Sequence, residues 1–257
     1  MLNFKIASLC FVIESITIGL LYHFLGISLW WFFVPILSYK FFIIWGSANI
    51  QSNFYTKAYC SLTTEEKQIA ITFDDGPHFE FTPKILSILN EYNTPATFFV
   101  IGKNIQGNEN IIRKIDAAGH TIGNHTFSHS FFIDFKGKTG FMIELNTTSD
   151  LIYDIIKKRM NYFRPPYGVT TPHLASASKA LKYDIIGWNI RSLDTTADSE
   201  EKIASRVISQ VKPGAIILFH DTSEKTAQVL KQTLNFAKEN GFKIVSVEEL
   251  LKMKAYV

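Results

Sequence analysis

Residues 61 to 257 alternate between short β-rich runs and amphipathic helical segments, and this alternation limits the possible folds more than any other feature of the chain. It is typical of parallel βαβ units. The predicted strands are 68–73, 96–101, 120–124, 161–164, 184–188, 215–219 and 243–246. The predicted helices are 82–92, 108–118, 141–159, 173–181, 200–211 and 225–239. Seven such strands can close a distorted barrel, so the predicted fold class is α/β, a deformed (β/α)7 barrel.

The first sixty residues have a different composition, with three lysines, one acidic residue (Glu14) and three of the four tryptophans. The segment from Ile27 to Trp45 carries only the charge of Lys40, and nineteen helical residues measure about 28 Å, which matches the hydrocarbon core of a bilayer. The segment from Ile6 to Tyr22 is just long enough to cross, although Glu14 lies in its middle. We therefore predict a hydrophobic membrane anchor of one or two transmembrane helices in residues 1–60, and a separate folded domain in residues 67–250.

A cleaved signal peptide is the alternative for the first apolar segment, but no small-x-small cleavage site follows it before the second one begins. If both segments cross, the absence of Lys and Arg from the connection between them favours cytoplasmic ends. If only the second crosses, the domain lies outside. Both topologies stay open here; the expected location is membrane-anchored, with the domain facing the cell envelope.

Charge and cysteine content exclude several classes of function. The net charge is +3, and residues 61–257 hold 23 basic and 22 acidic side chains, so no nucleic-acid partner is predicted. Both cysteines, Cys10 and Cys60, precede this region. It therefore has no internal disulfide, thiolate metal site or cysteine nucleophile.

Two adjacent carboxylates close the first predicted strand, in the sequence Thr-Phe-Asp-Asp-Gly-Pro at 72–77. Adjacent residues at a strand end point in different directions, so one of Asp74 and Asp75 can bind a cation while the other stays free as a base. An ordinary Asp-rich turn before Gly and Pro is the alternative.

A second group contains two histidines four residues apart, His125 and His129. On a helical turn such side chains share a face about 6 Å apart, which is close enough to chelate one metal. With the carboxylate of Asp75 they make a set of two imidazoles and one carboxylate that suits Zn²⁺ and leaves positions for water and substrate.

Two further groups follow later strands. Arg164 begins the sequence Arg-Pro-Pro-Tyr-Gly and can pair with a buried carboxylate, or can lie on the surface beside a rigid loop. His220 ends an apolar run, and a histidine there is a good proton donor if a carboxylate steadies its imidazolium.

These four groups, in this order, resemble the motifs of the polysaccharide deacetylases of the NodB-homology type, carbohydrate esterase family four. The resemblance runs from about Lys67 to Leu250, and the four groups are similar to four of the family's five motifs. It implies a deformed barrel and metal-dependent hydrolysis of N-acetyl groups on sugars. By this resemblance the metal ligands are Asp75, His125 and His129; the base is Asp74, oriented by Arg164; the acid is His220, steadied by Asp194; Tyr167 supplies an oxyanion-binding N–H; and Leu218 lines the acetyl pocket.

The remaining motif departs from the family, because Thr195 stands where an aromatic residue commonly follows the aspartate. One wall of the substrate groove is therefore expected to differ. Asp184 and Asp198 are the alternatives to Asp194 as the partner of His220.

The predicted function is a metal-dependent hydrolase that removes N-acetyl groups from N-acetylglucosamine units of a cell-wall or envelope polysaccharide, with peptidoglycan as a candidate substrate and Zn²⁺ as the first candidate ion. Two alternatives remain: an esterase for O-acetylated glycans, and a glycan-binding protein without activity.

Overall fold

A computed structural model describes residues 2–257 of the chain. The strands are β1 Ala58–Tyr59, β2 Gln68–Asp74, β3 Thr97–Val100, β4 Thr121–Asn124, β5 Tyr162–Phe163, β6 Asp184–Ile186, β7 Ile190–Arg191, β8 Ile216–His220 and β9 Lys243–Val245. The helices are α1 Phe4–Leu25, α2 Phe33–Ala48, α3 Phe81–Glu91, α4 Glu109–Ala117, α5 Gly137–Ile156, α6 Pro172–Ala180, α7 Glu200–Ile208, α8 Glu224–Glu239 and α9 Val247–Leu251. All seven predicted strands and all six predicted helices are present. β1, β7 and α9 were not predicted, because two to five residues are too few to show a period.

The strands form one parallel sheet in the order β1-β6-β5-β4-β3-β2-β8-β7, and β9 also pairs with β2. β6 and β7 lie near opposite ends of this order, yet only residues 187–189 separate them in the chain. Because four peptide steps reach at most about 14 Å, the sheet must curl until these two strands come together. The result is the deformed barrel that the sequence predicted, with β1 and β7 as its edge strands.

Side chains alternate along the central strands between the outer helices and the barrel interior. On β2, Ile69, Ile71 and Phe73 pack in the core cluster that includes the surrounding helices, whereas Ala70 belongs to the interior cluster. The same period of two assigns Asp74 to the interior-facing set. β8 pairs with β2 so that His220 lies opposite Asp74. The base and the acid expected from the sequence are therefore neighbours at the carboxyl ends of adjacent strands.

The N-terminal segment forms two long apolar helices, Phe4–Leu25 and Leu29–Ala48, the second beginning with a short 3₁₀ turn. Each is long and apolar enough to cross a membrane, and only 6% and 11% of their most hydrophobic windows are buried. These lengths agree with the predicted spans, while membrane anchoring itself stays a prediction.

The barrel also includes residues that precede the predicted boundary. β1 pairs with β6, and Ile50, Ala58 and Cys60 are buried in one cluster with side chains such as Phe163. We therefore propose that the domain begins near Asn49 rather than at residue 67.

Candidate active site

Asp74 lies at the end of β2 with 3% of its surface exposed, and its carboxylate faces two groups. Oδ1 accepts a hydrogen bond from Arg164 Nη1 at 2.7 Å. Oδ2 lies 3.7 Å from His125 Nε2. One oxygen is thus fixed by a cation and the other is turned toward the histidines.

Asp75 turns its carboxylate away from the strand because its backbone adopts a left-handed conformation, with φ of 74°. Its Oδ1 lies 3.5 Å from His125 Nε2 and 3.4 Å from His129 Nε2. This oxygen is buried and has no hydrogen-bond partner among the described residues. Burial raises the pKa of Asp75, but the neighbouring imidazoles of His125, His220 and His129 outweigh burial and lower the pKa well below its usual range.

These three side chains fit a divalent metal ion. Two ligands about 2.1 Å from an ion in a tetrahedral site lie about 3.4 Å apart, close to the spacings of Asp75 Oδ1 from the two histidines. A buried carboxylate oxygen without a donor is also what a cation would satisfy. One ligand atom from each of Asp75, His125 and His129 lies within 4.8 Å of the other two, so the predicted ligands converge on one point.

The two histidines are held as metal ligands usually are. His125 Nδ1 lies 2.7 Å from the carbonyl oxygen of Arg164, which assigns a proton to Nδ1 and turns Nε2 toward Asp75. Burial, together with the neighbouring His125, lowers the pKa of His129 to about 4, so its imidazole is neutral at physiological pH.

The helical turn expected for His125 and His129 is wrong. Residues 125–130 form a loop in which Thr126 and His129 have positive φ angles of 65° and 47°. The loop is held by Glu144 of α5, whose carboxylate accepts hydrogen bonds from the backbone N–H groups of Phe127 and Ser128 at 3.0 and 2.7 Å.

Glu144 is a residue that the sequence analysis missed. It is 5% exposed and also pairs with Lys136. A glutamate on a helix resembles a solvated surface residue in sequence, and only its position on an otherwise buried helical face, between Phe141 and Leu145, could have signalled its role.

Arg164 is completely buried, and each nitrogen of its guanidinium group is hydrogen-bonded. Nε donates to the carbonyl of Ile186 at 3.1 Å and Nη2 to that of Gly187 at 2.9 Å. Nη1 donates to Thr72 Oγ1 at 2.8 Å as well as to Asp74. The alternative that Arg164 lies on the surface is therefore wrong. Its guanidinium group connects β2 to the end of β6 across the barrel interior.

His220 is paired with Asp194. Its Nδ1 lies 2.8 Å from Asp194 Oδ1, and its backbone N–H donates to Asp194 Oδ2 at 2.8 Å. Burial lowers the pKa of His220, but the negative charges of Asp194, Asp74 and Asp75 have the larger, opposite effect. Together they raise the pKa of His220 to about 9. The ring is therefore an imidazolium at neutral pH, with Nε2 4.0 Å from Asp75 Oδ2.

The other two carboxylates considered for this role are engaged elsewhere. Asp184 accepts a hydrogen bond from Asn161, and Asp198 pairs with Lys202 and Arg206.

The two residues assigned to the substrate lie on the same rim. Tyr167 has a φ of 59°, is 47% exposed, and its ring centroid lies 4.6 Å from that of His129. Leu218 is 2% exposed on β8, opposite Thr72. Thr195 is exposed, so the position of the missing aromatic residue is open to solvent.

Asp221 is a second residue without a predicted role. It is 1% exposed, accepts a hydrogen bond from the Thr82 hydroxyl, and leaves Oδ1 without a partner among residues 2–257. Burial raises the pKa of Asp221 to about 7. Its carboxylate lies so close to Gly76 that a Cβ there would be 2.3 Å from Oδ2, which explains the glycine after the two aspartates.

Comparison with known proteins decides the family. The polysaccharide deacetylase profile matches residues 61–186. The peptidoglycan-N-acetylmuramic acid deacetylase PdaA of Bacillus subtilis (strain 168) is 34% identical over 194 residues, which cover 73% of each protein. This chain belongs to the polysaccharide deacetylase family.

Other family members are similar over the same region. A peptidoglycan-N-acetylglucosamine deacetylase of Bacillus cereus is 32% identical, covering 74% of this chain and 90% of that protein. Among solved structures, the Bc1960 peptidoglycan N-acetylglucosamine deacetylase has a TM-score of 0.73 and 28% identity, covering 77% of this chain and 94% of that one. The chitin deacetylase of Colletotrichum lindemuthianum has a TM-score of 0.72 and 27% identity, with coverage of 78% and 94%. These relatives support deacetylation of a cell-wall polysaccharide.

Proposed function

We propose that this polysaccharide deacetylase is a metal-dependent, membrane-anchored enzyme that removes N-acetyl groups from N-acetylglucosamine units of peptidoglycan or a related envelope polysaccharide. The observation that carries the proposal is the cluster of Asp75, His125 and His129 beside a fixed carboxylate, Asp74, and a charged imidazole, His220. Cation binding, proton removal and proton donation are the three tasks of amide hydrolysis, and a different group is available for each.

The proposed ligands are Asp75, His125 and His129, and two imidazoles with one carboxylate suit Zn²⁺. When bound, such an ion supplies Lewis acidity that polarises the acetamide carbonyl and makes water more acidic. His125 is already oriented to bind an ion through Nε2, because its Nδ1–H donates to the carbonyl oxygen of Arg164.

Asp74 is the proposed general base. Arg164 holds Oδ1, so Oδ2 is the oxygen left to accept the proton from the attacking water. The water oxygen then forms a bond to the carbonyl carbon, and the negative charge moves to the carbonyl oxygen. The backbone N–H of Tyr167 is the proposed donor to that oxygen, and a donor already in position contributes about 3 kcal/mol to lowering the barrier.

His220 is the proposed general acid. The carbon–nitrogen bond breaks only if the departing amine receives a proton, and the Nε2 proton of the imidazolium is on the side facing Asp75. Asp194 stabilises the imidazolium and accepts hydrogen bonds from Ser192 and Thr226, which fix its own orientation. The products are acetate and a free sugar amine.

The presence of a complete set of catalytic groups argues against a function limited to glycan binding. Solved structures that match this chain include a form of BA3943, described as a CE4 family pseudoenzyme, with restored enzymatic activity, at 26% identity and a TM-score of 0.71. The fold therefore does not by itself imply catalysis. Here the acid, the base and all three proposed ligands are present together.

The test measures acetate release by the full chain in lipid nanodiscs, with N-acetylglucosamine oligomers, peptidoglycan and O-acetylated xylan as substrates. Each is assayed before chelation, after chelation and after Zn²⁺ is restored. We expect activity on the N-acetylated substrates that disappears on chelation and returns with Zn²⁺. Release from O-acetylated xylan alone would identify an esterase, and activity that persists after measured removal of the metal would refute metal dependence.

A further inference from the structure

Three exposed phenylalanines lie on the loop between β4 and α5, beside the proposed active site. Phe131, Phe132 and Phe135 are 75%, 66% and 87% exposed, whereas Ile133 between them is 3% exposed. Ile133 thus fixes the loop to the core while the three rings project into solvent. An exposed apolar cluster of this kind on a folded domain is typical of a surface that contacts a membrane, a ligand or another protein.

The same loop adjoins the end of the apolar hairpin formed by α1 and α2. Ile133 packs in one buried cluster with Ile50, two residues beyond α2. The ring centroid of Phe131 lies 6.0 Å from that of Tyr167, and Thr170, three residues later, donates its backbone N–H to the carbonyl oxygen of Ser47 of α2 at 3.0 Å.

Both ends of the hairpin meet the domain on this side. The backbone N–H of Phe4, the first residue of α1, donates to the carbonyl of Phe54 at 3.0 Å. The turn between the helices, at Gly26, is the far end, about 33 Å away along α1. If the hairpin crosses a bilayer, the membrane surface passes at the level of Phe4 and Ser47, where the phenylalanine loop also lies.

The loop is continuous with the catalytic rim. The ring centroid of Phe131 lies 6.0 Å from that of Tyr167, which in turn lies 4.6 Å from that of His129. Tyr167 therefore links Phe131 to His129, one of the proposed metal ligands.

We propose that Phe131, Phe132 and Phe135 insert into the interfacial layer of the same bilayer that the hairpin crosses, and hold the catalytic rim against the membrane surface. Phenylalanine rings suit the boundary between headgroups and acyl chains, and the exposed Lys138 suits anionic headgroups. The catalytic rim would then face the layer next to the membrane, on the side of the bilayer that holds the domain. This inference rests on the proposed anchor and deacetylase function.

The experiment measures whether single positions of the full chain are surrounded by lipid or by water. An NBD fluorophore is attached at Phe132→Cys or Phe135→Cys in a Cys10→Ser background, in nanodiscs of phosphatidylcholine and phosphatidylglycerol. Buried Cys60 is retained, and Cys10→Ser alone measures any labelling of it. Val257→Cys is the control, because Val257 is 84% exposed and its backbone N–H donates to the carbonyl oxygen of Arg159, which precedes β5 and so lies at the end of the barrel opposite the catalytic rim.

We expect a shift of NBD emission to shorter wavelength at positions 132 and 135, loss of emission with doxyl-labelled lipid, and protection from aqueous iodide. Position 257 is expected to be quenched by iodide instead. Iodide quenching at 132 and 135 equal to that at 257 would overturn the proposal, as would a shift that requires added N-acetylglucosamine oligomer rather than lipid. Nanodisc retention and acetate release are measured on the same samples, so a failure of the anchor or of the deacetylase is recognised separately.

Discussion

Asp74 and Asp75 are neighbours in the chain, yet the structure gives their carboxylates different surroundings. Asp74 continues the alternation of β2 and points into the barrel toward Arg164, whereas Asp75 has left the strand in a left-handed conformation. That conformation costs a non-glycine residue about 1 kcal/mol, so it persists only where the surrounding structure compensates. Separate roles for the two carboxylates follow from this single change of backbone direction.

The two roles separate in substitutions. Asp75→Ala is expected to lose the stoichiometric metal and all turnover, because the remaining histidines lack the shared carboxylate oxygen. Asp74→Asn is expected to keep the metal while kcat falls about 10²- to 10⁴-fold, the usual contribution of a general base. Metal content by mass spectrometry and acetate release measure the two effects.

The matched control is Asp150→Asn, because Asp150 is exposed on α5 and pairs with Arg159. A tightly bound metal in Asp75→Ala would contradict the ligand assignment. Normal turnover by Asp74→Asn would remove Asp74 as the base.

Replacing Asp194 with Asn should change the pH dependence of the reaction. Asp194 raises the pKa of His220, and the acid must be protonated to act, so activity is lost as pH rises through that pKa. Without the Asp194 charge the pKa falls, and the alkaline limb of kcat/KM is expected to move to lower pH, with a larger loss at pH 8 than at pH 6.5. Asp184→Asn should leave the limb in place; an unmoved limb in Asp194→Asn would argue against His220 as the acid.

At the scale of elements, the site depends on strand ends and on the loops that follow them. Asp74 and His220 are opposite each other because β2 and β8 pair in parallel register, and Arg164 reaches Asp74 from β5 through the barrel interior. The loop that carries His125 and His129 has no regular structure, and the buried carboxylate of Glu144 takes the place of backbone pairing.

β1 makes a prediction about where the domain begins. A chain starting at Asn49 keeps Ile50, Ala58 and Cys60 in the core, whereas one starting at Ser61 loses them and the pairing of β1 with β6. Burial of Ile50 and its neighbours contributes about 3 kcal/mol, so the Ser61 chain is expected to melt about 10 °C lower. Calorimetry of the two chains checks this, and equal Tm values would contradict the proposed boundary.

At the scale of the whole molecule, two parts of opposite character are joined. The hairpin is apolar and mostly exposed, while the barrel has almost equal numbers of positive and negative side chains. Electrostatic attachment of the barrel to lipid is therefore weak, and the apolar surface of the hairpin dominates any affinity for a membrane.

Fractionation of cells tests that conclusion. The full chain is expected to sediment with membranes and to stay there in high salt and in alkaline carbonate, because burial of apolar helices is insensitive to both. The chain starting at Asn49 is expected in the soluble fraction. Release of the full chain by carbonate would contradict the two-span anchor.

Local sequence patterns were enough to predict the α/β alternation, the strand positions to within one or two residues, and the polar groups that gather at the rim, because periodicity and strand-terminal polar residues are local properties of the chain. The three-dimensional structure was needed to show that His125 and His129 lie on a loop, that Glu144 holds this loop, and that Asp194 rather than Asp184 or Asp198 pairs with His220. It also decided that β1 belongs to the barrel. These features depend on hydrogen bonds and burial between residues that are far apart in sequence, which no local pattern encodes.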